Sequence, residues 1–388
     1  MKRMIWIALI LVLFLAGCVI YVPRDDYYGP QRTNDTDRAN DQYGSRNDIS
    51  YFYDYLADYG DWVWNGPAGY VWLPRDVPYR WRPYSHGRWI WTDYGWTWVS
   101  AFEWGWIPFH YGRWGWDRDL GWFWVPDTVW GPAWVAWRWG DMYYGWAPLP
   151  PGAVWRGGLI FSGDIPDYYW VFLDGRYFLD ADLYRYVLPY ERNITIIHYT
   201  VIKTNIVYRN ERIINEGIDI DQIRRATRHD VVKYELRDAR QPGQSRLGPR
   251  ELEIYRPELV RNDQAKPRRV IGKDEAGQEL RDRPLRGLQK RSLLSDEEEL
   301  KEDQQDERRL LERSQEDELN LIKRKADEDL KKAPDAGDKQ KIEKDYEDKL
   351  TDFKQRHAAE KEELDKRQKA EADKVKKRKL KKDDGSAN

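Results

Sequence analysis

A chain of 388 residues, with 65 Lys+Arg against 67 Asp+Glu and a net charge of −2, has room for two or three domains of ordinary size. The charge balance excludes a globally basic nucleic-acid binder, and a single cysteine excludes an intrachain disulfide or a cysteine-built metal cluster. Of the 22 tryptophans all but Trp6 lie between Trp62 and Trp170, while no lysine occurs between Lys2 and Lys203, so the chain is several compositional pieces joined end to end.

Lys2 and Arg3 precede an apolar run from Met4 to Ala16, shorter than the ~20 residues that span a bilayer as a helix. A positive end, a short apolar run and small residues before a break are the parts of an export signal. The break, Leu15-Ala16-Gly17-Cys18, resembles the lipobox of bacterial lipoproteins. That resemblance implies cleavage before Cys18, a diacylglycerol on its sulfur and acylation of the new amine. Several acyl chains at ~0.8 kcal/mol per buried methylene make a stable anchor. The implied address is the bacterial cell envelope. By the enterobacterial sorting pattern, Val19 in place of an Asp points to the outer membrane, with the periplasmic or surface face left open. An ordinary secretory signal with an incidental cysteine is the other reading. We expect residues 1–17 as signal peptide and 18–50 as lipidated Cys18 plus a flexible tether, because Arg32–Asp41 and its surroundings lack apolar periodicity.

The next piece is an internal repeat. Gly-aromatic-x-Trp or a variant starts at Gly69, Gly95, Gly121 and Gly145, and each is preceded by a Trp-x-Trp motif: Trp62/Trp64, Trp89/Trp91, Trp114/Trp116 and Trp137/Trp139. Side chains alternate along a strand, so Trp-x-Trp places both indoles on one face. Short turns such as Thr92–Gly95 and Asp117–Gly121 make each unit a predicted β-hairpin. The simplest register sets Trp91 opposite Trp96, Trp89 opposite Trp98, Trp116 opposite Trp122 and Trp114 opposite Trp124. One hairpin is marginal alone, so the units must bury this face by packing on one another. A compact antiparallel array or small barrel is expected over 51–157, with barrel, propeller-like and open arrangements all compatible with the period. Each buried indole N–H needs an acceptor, and carbonyls at the Pro and Gly turns are the expected ones.

The motifs Tyr111-Gly-Arg-Trp-x-Trp116, Gly121-Trp-x-Trp-Val-Pro126, Trp130-Gly-Pro-Ala-Trp-Val-x-Trp-Arg138 and Gly145-Trp-Ala-Pro-Leu-Pro-Pro-Gly152 resemble the Trp-rich domain of unknown function found in bacterial envelope proteins. The resemblance covers about 51–157 and implies location and architecture but no activity. The first and fourth units depart from the pattern, at Tyr70 and at Met142-Tyr143.

Two uses of the aromatic rings are in view. One is packing. The other is stacking on sugar rings of peptidoglycan or a polysaccharide, for which the candidates are Trp89, Trp91, Trp96, Trp98, Trp114, Trp116, Trp122 and Trp124, with Arg88 and Arg113 meeting acidic sugars. Arginines beside indoles also stack on them, as Arg138 could. Cleavage of a glycan needs two carboxyl groups ~5–10 Å apart. Glu103 is the lone glutamate of 51–157, and Asp93, Asp117 and Asp119 sit in predicted turns. His86, His110, His198, His229 and His357 show no zinc-binding spacing. The expectation is a non-enzyme with no cofactor and no metal.

Residues 158–240 read as a small α+β accessory domain: mixed strand and turn from Trp170, a short helix over Asp180–Val187, a β-branched strand from Ile194 to Tyr208 turning at Arg209–Arg212, a helix capped at Asp219 or Asp221 and running to Arg228, and a closing strand over Val231–Leu236. Pro and Gly make 241–291 a linker. From Ser292 to the end, 30 acidic and 26 basic residues among 97 alternate with sparse apolar positions near helical spacing. The break at Ala333–Asp338 predicts a charged helical hairpin or coiled coil over 292–384. The run Lys374–Lys382, seven positive charges in nine residues, suits a helix C-terminus or an anionic headgroup or polymer. Export makes nucleic acid an improbable ligand. The fold expected is multi-domain, and the function expected is structural or interactive: contact with an envelope polymer, or with a partner protein through the helical tail.

Overall fold

The computed structural model describes residues 48–78, 80–156, 159–161, 165–203, 206–282 and 296–385. The signal peptide, Cys18 and nearly all of the tether lie outside the described residues. After a short helix α1 (Ser50–Leu56), the chain forms four hairpins: β1 (Gly60–Trp64) with β2 (Tyr70–Pro74), β3 (Gly87–Thr92) with β4 (Gly95–Ser100), β5 (Arg113–Asp117) with β6 (Gly121–Val125), and β7 (Val135–Trp139) with β8 (Tyr143–Pro148). Their register sets Trp62 opposite Trp72, Trp89 opposite Trp98, Trp91 opposite Trp96, Trp114 opposite Trp124, Trp116 opposite Trp122 and Trp137 opposite Trp146.

The glycine two residues before each of the first three Trp-x-Trp pairs (Gly60, Gly87 and Gly112) has a steric cause. Gly112 has φ +64°, and a Cβ there would stand 2.2 Å from the Val125 carbonyl oxygen and 2.7 Å from Nε1 of Trp124. The indole of the second strand folds over the start of the first, and only glycine leaves room for it. Gly87 meets Trp98, and Gly60 meets Trp72, in the same way.

Hairpins do not join in chain order. The first and third share one sheet, ordered β1-β2-β6-β5, through the single pair Trp72–Trp124. The fourth forms a second sheet with β11 (Val171–Asp174) on one side and β12 (Val201–Lys203) on the other, after the short strands β9 (Val154–Arg156) and β10 (Leu159–Phe161). The third sheet is built around the second hairpin. Beside β4 it adds β14 (Arg212–Asn215), β13 (Ile206–Arg209), β10 and β9; beside β3 it adds β15 (Lys233–Asp238), β17 (Glu251–Ile254) and β16 (Arg246–Leu247). The contacts β14–β4, β15–β3 and β15–β17 are parallel, and most of the others are antiparallel. The repeat is therefore neither an in-order meander nor a barrel. Its Trp faces turn towards one another across sheets, which buries most of the indoles on both sides.

Strand pairing crosses the boundary drawn at residue 157: Val201 pairs with Trp139, Val171 with Trp146, Asn215 with Gly95 and Lys233 with Trp91. Residues 158–240 thus complete sheets begun in the repeat. Part of the stretch read as linker does the same. In β17 Leu252 and Ile254 alternate into the interior and are fully buried, and α4 (Lys273–Asp282) follows, with Ala276 and Ile271 closing a core over Val63, Val71, Leu73 and Phe123. The strand expected from Ile194 to Tyr208 begins instead as helix α2 (Asn193–His198). The Asn193 amide donates to the carbonyls of Asp167 and Trp170 at 2.7 and 2.8 Å, which pins the start of that turn, and Ile196 is buried beneath it. Tertiary anchoring overrides β propensity here. The helix α3 (Ile220–Thr227) forms as expected, its N–H groups capped by the Asp219 carboxylate.

The C-terminal region is helical: α5 (Asp296–Lys332) and α6 (Ala336–Gly385), broken at Pro334. They run antiparallel, with Arg308 paired to Asp365 and Gln315 Nε2 donating to the His357 carbonyl. Leu300, Leu311, Phe353 and Leu364 are buried between or beneath them, whereas no residue from 319 to 352 is buried. No described helix is long and apolar enough to cross a membrane.

Candidate functional site

The tryptophan candidates occupy the core. Trp89, Trp96, Trp98, Trp114 and Trp124 are fully or almost fully buried, and only Trp91, Trp116 and Trp122 keep part of a ring at the surface. The second and fourth hairpins meet face to face: Trp89 lies 4.6 Å from Trp137 and 5.5 Å from Trp146 between ring centroids. Tilted and edge-on contacts dominate, as ring quadrupoles favour. Buried on every side, the five rings offer no face to a sugar, so that part of the expected glycan site is corrected to core.

Most of the N–H groups are used as expected. Trp114 donates to the Pro108 carbonyl at 2.9 Å, Trp124 to Tyr111 at 2.8 Å, Trp96 to Ile218 at 2.8 Å and Trp146 to Tyr84 at 2.9 Å. Trp137 instead donates to the side-chain oxygen of Asn215 at 2.7 Å, a partner 78 residues away. Buried Nε1 atoms of Trp81, Trp89, Trp98 and Trp106 have no hydrogen-bond partner, and they lie among aromatic faces. Tyr84 ties the halves together: its hydroxyl donates to the Phe109 carbonyl at 2.9 Å and accepts from the Trp134 N–H at 3.1 Å, and burial raises its pKa.

Arg113 is buried, with its guanidinium 3.6 Å from the centre of the Trp134 ring and Nη1 donating to the Gly112 carbonyl at 2.7 Å. Arg138 lies 5.0 Å from the Trp170 ring and donates to the carbonyls of Ile197 and Thr200. Arg113 therefore faces inward and cannot meet an acidic sugar, while Arg88 is half-buried on β3. His110 is sealed in the core, stacked on Trp130, and burial drops its pKa to about 4, so it is neutral at neutral pH. Asp117 accepts from the N–H groups of Asp119 and Leu120 and from Lys273, a turn-building arrangement. Asp93 and Glu103 stand beyond opposite ends of the six-residue strand β4, roughly 20 Å apart at ~3.3 Å per residue and outside the separation a glycosidase uses.

Aromatic surface remains in several places, Trp64, Tyr168, Tyr190 and Tyr199 among them. Trp64, 53% exposed at the end of β1, packs edge-on against Tyr70 at 5.0 Å. Trp116 lies 4.8 Å from the exposed Tyr168, inclined by 58°. Neither pair is coplanar. A shallow depression is lined by Asp93, Arg209, Asn210, Arg212 and Ile214 at the adjoining turns of two hairpins.

The most developed polar constellation is one that sequence reasoning missed. Arg192, wholly buried just before α2, donates Nη1 to both oxygens of Glu360 at 3.0 and 2.9 Å and Nη2 to Glu318 at 2.5 Å and to the Tyr143 hydroxyl at 3.1 Å. Glu360 also accepts from Thr195 at 2.5 Å and Gln315 at 2.7 Å, and His357 Nε2 lies 3.1 Å from Glu318. Burial opposes ionisation of Glu318, but His357 and Arg192 outweigh it and hold its pKa below the ordinary value. A second cluster joins Arg367 of α6 to Glu191, Glu307 and Glu371, and Glu307 also takes Arg80 at 3.0 Å. Together they plug the helical hairpin into the strand-built head. The head and hairpin partners lie more than a hundred positions apart, and the signal in the sequence is that glutamates interrupt an otherwise thin apolar seam.

Residues 53–153 match a family of unknown function, DUF6600. That stretch spans all four hairpins. No curated protein and no solved structure matches the chain.

Proposed function

We propose that this is a non-catalytic protein of the bacterial cell envelope, anchored by lipid on Cys18, whose tryptophan-cored head holds out a charged helical hairpin to an envelope polymer or a partner protein. The observation that carries the reading is the contrast within the hairpin. Its root is fixed by two buried ion clusters, while its outer part, residues 319–352, contains no buried residue and touches the head near its base through the exposed pair Lys325–Asp141. At ~1.5 Å per residue that part extends roughly 20 Å beyond Glu318. The lipobox resemblance supports the anchor and an outer-membrane address, and the paired helices support a short antiparallel coiled coil. The basic run Lys374–Lys382 continues α6, and its charge suits polymer carboxylates or anionic headgroups better than nucleic acid in an exported protein.

A second reading, carbohydrate binding, is favoured by the rings of Trp64, Trp116 and Tyr168 that remain at the surface. Glycan cleavage is a distant third. One experiment separates them: sedimentation of the full chain with purified peptidoglycan sacculi, comparing Trp64→Ala and Trp116→Ala with a chain whose hairpin tip, residues 326–345, is replaced by a short turn. Loss of saturable binding with the tip replaced supports the leading reading, and loss with the tryptophan variants supports the second. No binding by the intact chain, together with no protein cross-linked from the tip in intact cells, would sink the first. Separately, Cys18→Ser should move the protein from the membrane fraction to the soluble fraction.

A further inference from the structure

We propose that the helical hairpin is a detachable arm, held to the head by a carboxylate latch that opens when Glu318 and Glu360 lose their charge. The inference rests on the geometry of the interface and goes beyond the proposed arm by giving it a docked and a released state. The contact is unusual in what it buries. Arg192 is fully enclosed, and its counter-ions come only from the other side: Glu318 from α5 and Glu360 from α6. A buried ion pair adds little net stability, but a buried charge stripped of its partner is strongly unfavourable. Docking over Arg192 is therefore conditional on those two carboxylates, while Arg176 with Asp317 and Lys325 with Asp141 tie α5 to the head only at the exposed surface. Apolar support is slight. Leu310 packs on the head from α5, and Phe353 stacks on the half-exposed Tyr199 at 5.3 Å.

The charged and titratable groups facing the latch come from three elements. From the head they are Arg192, Tyr143 and Tyr199; from α5, Glu318 with the amide of Gln315; from α6, His357, Glu360 and Arg356. The neighbouring cluster adds Glu191, Arg80 and Arg82 from the head, Glu307 from α5, and Arg367 and Glu371 from α6. Arg192 keeps its charge throughout. Protonation of Glu318 and Glu360 leaves it buried without a counter-ion, and release returns it to water. Since the docked state holds the Glu318 pKa down, docking is at full strength above the ordinary carboxylate range and is lost as pH falls through the depressed value.

The hairpin contains no tryptophan, so the head supplies a built-in optical donor. In the full chain carrying Cys18→Ser, the exposed Ala358 is changed to Cys and labelled with an acceptor of tryptophan emission. At neutral pH, energy transfer should be high in this protein and fall towards the released value in Glu318→Gln/Glu360→Gln, with docking weakened by about 100-fold or more. Near-UV circular dichroism of the head should be unchanged between the two. Acidification of the parent should reproduce the loss of transfer reversibly, before the near-UV signal changes. Equal transfer in the parent and the double variant would overturn the proposal. Loss of transfer and of the near-UV signal in one transition, in either the acid titration or the variant, would overturn it too, because the head would then depend on the hairpin to stay folded.

Discussion

Gly112 and Gly121 form a matched pair on which the account of the repeat can be tested. Both have left-handed backbones, with φ +64° and +65°. A Cβ at Gly121 would meet nothing within 4 Å, while one at Gly112 would stand 2.2 Å from the Val125 carbonyl oxygen and 2.7 Å from Trp124 Nε1. Replacing either by Ala carries the left-handed penalty of about 1–2 kcal/mol. Only Gly112→Ala adds overpacking, about 1–3 kcal/mol, and threatens the 2.8 Å bond from Trp124 to the Tyr111 carbonyl, worth about 1 kcal/mol. The expected losses are about 1–2 kcal/mol for Gly121→Ala and about 3–6 kcal/mol for Gly112→Ala. Urea unfolding of the full chain, followed by tryptophan fluorescence, measures both against the parent. Equal losses, or a smaller one at Gly112, would refute the claim that the indole folded over the first strand is what demands glycine.

Other consequences follow from the core and its buried groups. Trp137→Phe removes the donor to Asn215 and leaves a buried amide oxygen without it; a loss of about 2–4 kcal/mol is expected, and a loss below 1 kcal/mol in the same urea assay would count against the bond. Arg113→Met keeps volume but removes the charge stacked on Trp134, with an expected cost of about 1–2 kcal/mol; an unchanged midpoint would show that the stack contributes nothing. His110 is depressed from the ordinary 6.5 to about 4 by burial, so the unfolded chain takes up its proton first as pH falls. The contribution is fully present above pH 6.5 and is lost towards pH 4, up to about 3 kcal/mol at ~1.4 kcal/mol per pH unit. Unfolding free energies measured across that window should fall less steeply in His110→Gln than in the parent, and identical slopes would contradict the buried, neutral ring.

Some of this was readable residue by residue. The period-two placement of Trp89/Trp91 and Trp96/Trp98, with a turn between, is local information, and it yields a hairpin of the observed register. The caps and breaks at Asp219 and Pro334 are local too, and they bound helices where expected. The site fared differently. Alternation says which face an indole takes but not whether another sheet covers that face, so Trp89 and Trp98 looked like sugar platforms until Trp137 and Trp146 were placed against them. The linker reading failed because Pro and Gly outweighed a short Leu252/Ile254 alternation that has meaning only beside β15.

The sequence by itself therefore determined what depends on neighbours within a few residues: four Trp hairpins, a helical charged tail and an N-terminal motif of the lipobox kind. Tertiary structure alone decided the order in which hairpins share sheets, which rings are core, and that Arg192 meets Glu318 and Glu360 across 126 and 168 positions. The reason is physical. Hairpin and helix periodicities arise from backbone geometry that repeats every two to four residues, whereas burial and charge pairing depend on which surfaces come together. No local pattern encodes the partner.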